Sequence, residues 1–209
     1  MIYTKNLAYA HPNGRLLQFP DIACEGGQAL LITGPSGTGK TTLLHLLAGL
    51  LKPASGDVRV GNTSLPQLKA AAMDAFRGKN IGLVFQQPHF IASLSIRENL
   101  LLAPSLVKEH ASEERLRQLA GTLRIENLLH KKPAHLSQGE QQRASIARAL
   151  MQSPQVLLAD EPTASLDDHN CASVAQLLAS QAQQQNAALL IVTHDNRLKQ
   201  IFRDHIQLS

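Results

Sequence analysis

Four short apolar runs recur along the chain, each set beside a segment with helical spacing: ALLIT (29–33), IGLVF (81–85), VLLAD (156–160) and ALLIVT (188–193). They are short, rich in branched residues and apolar at successive positions. That is the mark of strands buried on both faces, as in a parallel sheet covered by helices. The covering helices are expected from Lys40 to Leu51, stopped by Lys52-Pro53, around Pro66 to Arg77, after Ser137, and from near Asp168. HIQL (205–208) closes the chain as a last strand.

The opening has a different character. IYTKNLAY, RLLQF and, further on, DVRV read as strands, with turn signals at His11-Pro12-Asn13-Gly14 and Glu25-Gly26-Gly27. They predict an N-terminal antiparallel β-subdomain. From Ser95 the pattern turns helical. Ser95 and Glu98 have capping-box spacing, Ser112 opens a charged helix with Leu spacing, and the stretch runs to about Lys132. The expectation is one domain over 1–209, an α/β core with a helical subdomain inserted at approximately 88–135.

Composition narrows the class. A chain of 209 residues can bury one substantial core and is marginal for two. Hydrophobic residues make up 44% and charged residues 17%, the balance of a folded soluble protein, with a core resting on Leu, Ile, Val and Ala because aromatics are 3%. The net charge of +4 is not gathered into a basic stripe, so nucleic acid is not an expected partner. Cys24 and Cys171 are far apart, with neither zinc-site spacing nor a disulfide framework. No apolar run reaches the roughly 18 residues that span a bilayer, and no secretory signal opens the chain. Membrane work would need a partner.

The chemistry starts at GPSGTGKT, comprising Gly34, Pro35, Ser36, Gly37, Thr38, Gly39, Lys40 and Thr41, with Thr42 following. It matches G-x-x-x-x-G-K-[ST] between a buried strand and a helix, the setting of a P-loop NTPase. Glycines let the backbone wrap an anion so that several N–H groups converge on the phosphates. Lys40 supplies a point charge for the β- and γ-phosphates, the Thr41 hydroxyl a ligand for Mg²⁺, and the helix N-terminus its dipole. VLLADE places two carboxylates where open α/β sheets bind ligands, at the C-terminal end of a strand. Asp160 is expected on Mg²⁺ and Glu161 as the general base for an attacking water in line with the γ-phosphate.

LSQGEQQR (136–143) opens a helix, with Ser137 and Glu140 again at capping-box spacing. A small hydroxyl, Gly139 and a helix N-terminus together form an anion-binding surface. Here the sequence resembles the ABC ATPases, whose signature is LSGGQ-like and runs into a similar basic helix. Other positions follow in that family's order: Gln86 in VFQQ, Asp167 in ASLD, His194 in VTHD, and Tyr9 where an adenine-stacking aromatic is usual.

The resemblance implies a head-to-tail dimer holding two ATP, each between the phosphate loop of one subunit and Ser137 and Gly139 of the other. It implies Gln86 on Mg²⁺ or the water, sensing a transmembrane partner, and His194 on the γ-phosphate, steadying Glu161. The Asp167 loop would communicate between the subunits. The function so implied is the ATP-hydrolysing subunit of a transporter on the cytoplasmic face of the membrane, bound to a permease and to a second nucleotide-binding subunit, with a homodimer expected and a heterodimer the alternative. LADEPT, SLD and LSQGEQQR look most like the lipoprotein-release, macrolide-efflux and cell-division subgroup. The alternatives are a non-transport ABC ATPase or an ATP-dependent regulatory module. Two departures stand out: Gln138 replaces the first signature glycine, and no C-terminal regulatory domain is expected after HIQL.

Overall fold

A computed structural model describes residues 1–12, 14–106, 112–164 and 166–209, with the side chain of His169 also left out. Asn13 of the first turn signal, residues 107–111 of the helical middle and Ser165 beside Asp167 thus lie outside the described residues.

The strands and helices follow in the order β1 (Ile2–Ala10), β2 (Leu16–Gln18), β3 (Ala23–Cys24), β4 (Ala29–Thr33), α1 (Lys40–Leu47), β5 (Ser55–Val60), β6 (Thr63–Ser64), α2 (Ala70–Asn80) and β7 (Ile81–Val84). The second half contains α3 (Ile96–Leu106), α4 (Glu113–Leu123), α5 (Gln138–Leu150), β8 (Val156–Asp160), α6 (Asp168–Gln184), β9 (Ala188–Thr193) and β10 (His205–Gln207). Five strands form a wholly parallel sheet in the order β10-β4-β9-β8-β7. The expected antiparallel sheet is also present, with β1 pairing β2, β3 and β5, and β6 extending it beyond β5.

The period of two along each parallel strand explains the unbroken apolar runs. Leu157 and Ala159 of β8 and Leu189 and Ile191 of β9 face one core, which they share with α3, α4, α5 and α6. Val156, Leu158, Leu190 and Val192 face the other, shared with α1 and the antiparallel sheet. Both faces of β8 and β9 are dry, so their polar residues stand at the strand ends.

Two helices differ from the sequence reading. The first stops at Leu47 and not Leu51, because Gly49 takes a left-handed φ of 64° and the Leu50 N–H turns back to the His45 carbonyl at 2.8 Å. Glycine carries no Cβ penalty there, and the closing bond satisfies a terminal carbonyl. The expected helix from Pro66 to Arg77 is split. A 3₁₀ turn at Leu65–Gln67 takes Pro66 in its first turn, Leu68 and Lys69 are extended, and α2 begins at Ala70. Buried Leu65 anchors that turn in the core. The Ser95–Glu98 capping box forms: Glu98 Oε2 accepts from the Ser95 N–H at 2.7 Å, and Ser95 Oγ from the Glu98 N–H at 3.3 Å.

Candidate functional site

The loop after β4 closes on itself. Gly39, at φ 92°, turns the backbone into α1, and a side chain added there would meet Leu17 at 3.1 Å. Lys40 follows as the first helical residue and is almost fully buried. Its Nζ donates to the carbonyls of Gly34 at 2.8 Å and Pro35 at 3.0 Å, so the ammonium is held inside the curve of the loop. Pro35 also accepts from Thr38 Oγ1 at 2.9 Å. Gly34, Pro35 and Thr38 thus shape the loop from behind, while Ser36, Gly37, Gly39, Lys40, Thr41 and Thr42 line a cleft of about 490 Å³.

Asp160, Glu161 and His194 line the same cleft from the ends of β8 and β9, and Gln86 lines it from beyond β7. Burial raises the Asp160 carboxyl above its ordinary pKa, helped by neighbouring Glu161. A hydrogen bond from Thr41 and the nearby His45 and Lys40 act in the opposite direction. A half-buried carboxylate bonded to a hydroxyl is a set of hard oxygen donors, and that fits Mg²⁺.

Glu161 sits at φ 46°, a left-handed conformation uncommon outside glycine, with its N–H fixed to the Val192 carbonyl at 2.9 Å. Its carboxylate is held at both oxygens. Oε2 accepts from Thr193 Oγ1 at 2.6 Å, and Oε1 accepts from the His194 N–H at 3.0 Å and from His194 Nδ1 at 2.7 Å. The Glu161 side chain is 12% exposed and that of His194 63%.

The other candidate positions lie apart from the cleft. Ser137 caps α5, and Glu140 Oε2 accepts from its N–H at 2.7 Å and its hydroxyl at 2.9 Å, completing the capping box. These bonds hold the Glu140 carboxylate below its usual range. Ser137 and Gln138 are exposed, and neither Ser137 nor Gly139 lines this cleft. Asp167 is exposed at the start of α6, accepting from the Asn170 N–H at 2.9 Å. Tyr9 packs against the core opposite Leu17 on β2, its ring edge-on to His11 with centroids 6.3 Å apart. Leu17 and His11 line the cleft whereas Tyr9 does not. Tyr3 lies elsewhere, its hydroxyl donating to Glu25 at 2.6 Å.

Several residues had no signal in the sequence. Thr193 is completely buried under Glu161. Arg15 lines the cleft, and its guanidinium reaches the Gly37 carbonyl at 3.4 Å. Arg148 of α5 stacks 4.8 Å over Phe90 and donates to the His89 carbonyl, tethering the segment that carries Gln86.

The sequence profile of the family described as ABC transporter matches residues 17–164. The chain belongs to the ABC transporter family. It is an ATP-binding, ATP-hydrolysing subunit of the kind that drives transporters. It is 38% identical to the lipoprotein-releasing system ATP-binding protein LolD of Syntrophotalea carbinolica, over 95% of this chain and 90% of that protein. It is 41% identical to the uncharacterized ABC transporter ATP-binding protein YvcR of Bacillus subtilis, over 84% of this chain and 68% of that protein. The ATP-binding cassette MJ0796, solved as a dimer in a post-hydrolysis state with ADP and Pi, superposes with a TM-score of 0.87. It is 32% identical, and the match covers all of this chain and 94% of that one.

Proposed function

We propose that this ABC subunit works as one half of a head-to-tail pair that closes on two ATP molecules and passes the movement to a permease. One observation carries the reading. The phosphate loop, Asp160, Glu161 and His194 line one cleft, while Ser137, exposed, and Gly139, half-buried, stand at the N-terminus of α5 outside that cleft. A hydroxyl and a glycine at a helix N-terminus, outside the cleft of their own chain, suit the site of a second copy.

In this reading the backbone amides of 36–42 cradle the phosphates, and Lys40 leaves the loop carbonyls for the β- and γ-oxygens. Asp160, Thr41 and Gln86 would hold Mg²⁺, which when bound neutralises charge on the phosphate oxygens. Glu161 takes the proton of the attacking water. His194 and Thr193 fix the carboxylate so that it meets the water in one orientation, an arrangement that needs no reorganisation during reaction. Asp167 lies at the facing surface and links the two sites. The adenine is met at the His11–Leu17 side, with Tyr9 behind it.

Among the described residues no helix is long and apolar enough to cross a membrane. The proposed attachment is therefore through the permease, on the cytoplasmic face. A groove of about 920 Å³ runs between α2, α3 and α5, lined by Phe85, His89, Ala103, Leu106 and Arg148. Its lining is mostly apolar, includes Arg77, Arg148, His89 and the acidic Asp74, reaches Phe85 next to Gln86, and is the proposed seat for a short permease helix. With residues 88–135 as the helical arm, binding there is coupled to Gln86.

Size-exclusion of Glu161→Gln with Mg-ATP tests this. The variant is expected to elute as a dimer with ATP and as a monomer with ADP. Elution as a monomer in both would refute the pairing.

A further inference from the structure

Beyond the cleft, the loop after β8 and the end of β9 with its following turn are tied together by a side-chain cluster of which the reaction as described uses Thr193 alone. The strand end and turn contribute Thr193, Asp195 and Arg197, and the loop contributes Thr163, Leu166 and Asp168. Thr193 Oγ1 donates to Glu161 and accepts from the Asp195 N–H at 2.9 Å. Asp195 accepts from the Arg197 N–H at 3.0 Å and, across the gap, from Thr163 Oγ1 at 3.3 Å.

Arg197 does the bridging. Its Nε lies 2.9 Å and 3.0 Å from the two Asp195 oxygens, and a terminal nitrogen lies 2.7 Å from Oδ2. The other terminal nitrogen donates to the loop, to Asp168 Oδ1 at 2.6 Å and the Leu166 carbonyl at 3.3 Å. Leu166 and Asp168 flank Asp167 on both sides. One planar guanidinium thus holds the ends of two segments, the first carrying Glu161 and Asp167 and the second carrying His194.

We propose that Arg197 is a positioning residue for hydrolysis, a brace that keeps the Asp167 loop registered against the turn holding the Glu161 carboxylate. It touches neither nucleotide nor water. Its effect passes through Asp195 and Thr193 to Glu161 on one side and through Leu166 and Asp168 to Asp167 on the other. The rigid fork matters because two directions must be held at once. Lysine, a point charge on a flexible stem, can meet Asp195 or the loop but does not fix the angle between them. The surroundings favour order over mere surface pairing: Asp195 is 11% exposed and Thr163 is fully buried. The Asp168 leg is open to water, at 91% exposure, and contributes direction more than stability.

The test uses the full chain, with steady-state ATP hydrolysis, thermal melting, and hydrogen exchange of the 162–170 segment in Arg197→Ala, Arg197→Lys and Asp168→Ala. A carboxylate displaced by a change outside the chemistry can cost on the order of a hundredfold. Arg197→Ala is therefore expected to lower kcat by about tenfold to a hundredfold, with KM for ATP within about twofold and faster exchange in 162–170. Arg197→Lys should fall between it and wild type while melting like wild type, and Asp168→Ala should show a smaller loss of the same kind. Since Arg197→Lys keeps a cation at this position and Asp168→Ala keeps the Arg197–Asp195 contacts, these two variants decide the matter even if Arg197→Ala does not fold. The brace is overturned if Arg197→Lys and Asp168→Ala both keep wild-type kcat and exchange, or if the loss lies wholly in KM. Combining Arg197→Ala with Thr193→Val should cost less than the product of the single losses. Independent, multiplying losses would also overturn transmission through Thr193.

Discussion

His194 Nδ1 and Glu161 Oε1 stand 2.7 Å apart, and the backbone N–H of the same histidine donates to the same oxygen at 3.0 Å. The carboxylate can only accept, so Nδ1 carries the proton and Nε2 is left to serve the cleft that His194 lines. A single residue thereby fixes the Glu161 carboxylate through main chain and side chain together. The chain places this pair at adjoining strand ends because β8 and β9 run parallel and in register, Asp160 beside Val192.

Thr193 should matter to turnover although it reaches no substrate. Thr193→Val keeps the shape, removes the bond to Glu161 Oε2 and strands the Asp195 N–H. A hydrogen bond to a charged group contributes about 1.5–3 kcal/mol, so kcat should fall roughly tenfold to a hundredfold. KM for ATP should hardly move, since the loss concerns the transition state. Steady-state kinetics at saturating and limiting ATP separate the two, and a purely KM effect would contradict the assignment.

Lys40 should dominate nucleotide affinity. Its ammonium is already desolvated between the Gly34 and Pro35 carbonyls, so moving it to phosphate exchanges neutral acceptors for charged ones. Lys40→Ala should weaken ATP binding by about tenfold to a hundredfold, again from about 1.5–3 kcal/mol. Titration with a fluorescent ATP analogue reads this, and affinity equal to wild type would remove Lys40 from the site.

Acid stability should depend on Asp195. The Arg197 hydrogen bonds hold its carboxyl below the ordinary range, against the opposing effect of burial. A folded pKa below the unfolded value of about 3.9 means that the ionised group stabilises the fold above that pH. The contribution is then lost as pH falls through the lower, folded value. Asp195→Asn should therefore be less stable than wild type at pH 7 and lose stability less steeply below about pH 4. Urea midpoints at a series of pH values measure the slopes, and parallel slopes would show that the pair adds no linkage.

How far the sequence carried the fold depended on whether a feature was local. The buried strands and the capped helix starts at Ser95 and Ser137 follow from a few neighbouring residues, and all formed. The loop at 34–41, Asp160 and Glu161 could be singled out for the same reason, since motif and strand end each lie within one short segment, and the structure brings them to one cleft. The end of α1 was misplaced because apolar spacing runs on through Leu50 and Leu51, and only the φ of Gly49 reveals the stop. Thr193, at the end of β9, and Asp195 and Arg197 after it look like ordinary residues of a strand end. Their role exists only because the turn after β9 meets the loop after β8, 29 residues away at the Arg197–Asp168 contact. Tyr9 illustrates the reverse: a plausible aromatic position whose ring packs beside the cleft, leaving His11, Arg15 and Leu17 to line it.

The central claim is that each ATP is gripped by two copies of the chain, and cross-linking reads that contact directly. Chains with Ser36→Cys and chains with Gly139→Cys, both carrying Glu161→Gln and distinguishable by tag, are mixed and oxidised with Mg-ATP or with ADP; the native Cys24 and Cys171 are buried. The account predicts a disulfide between the two kinds of chain that forms with Mg-ATP and not with ADP. Absence of that link with Mg-ATP, or its replacement by Gly139→Cys chains joined only to one another, would contradict the account.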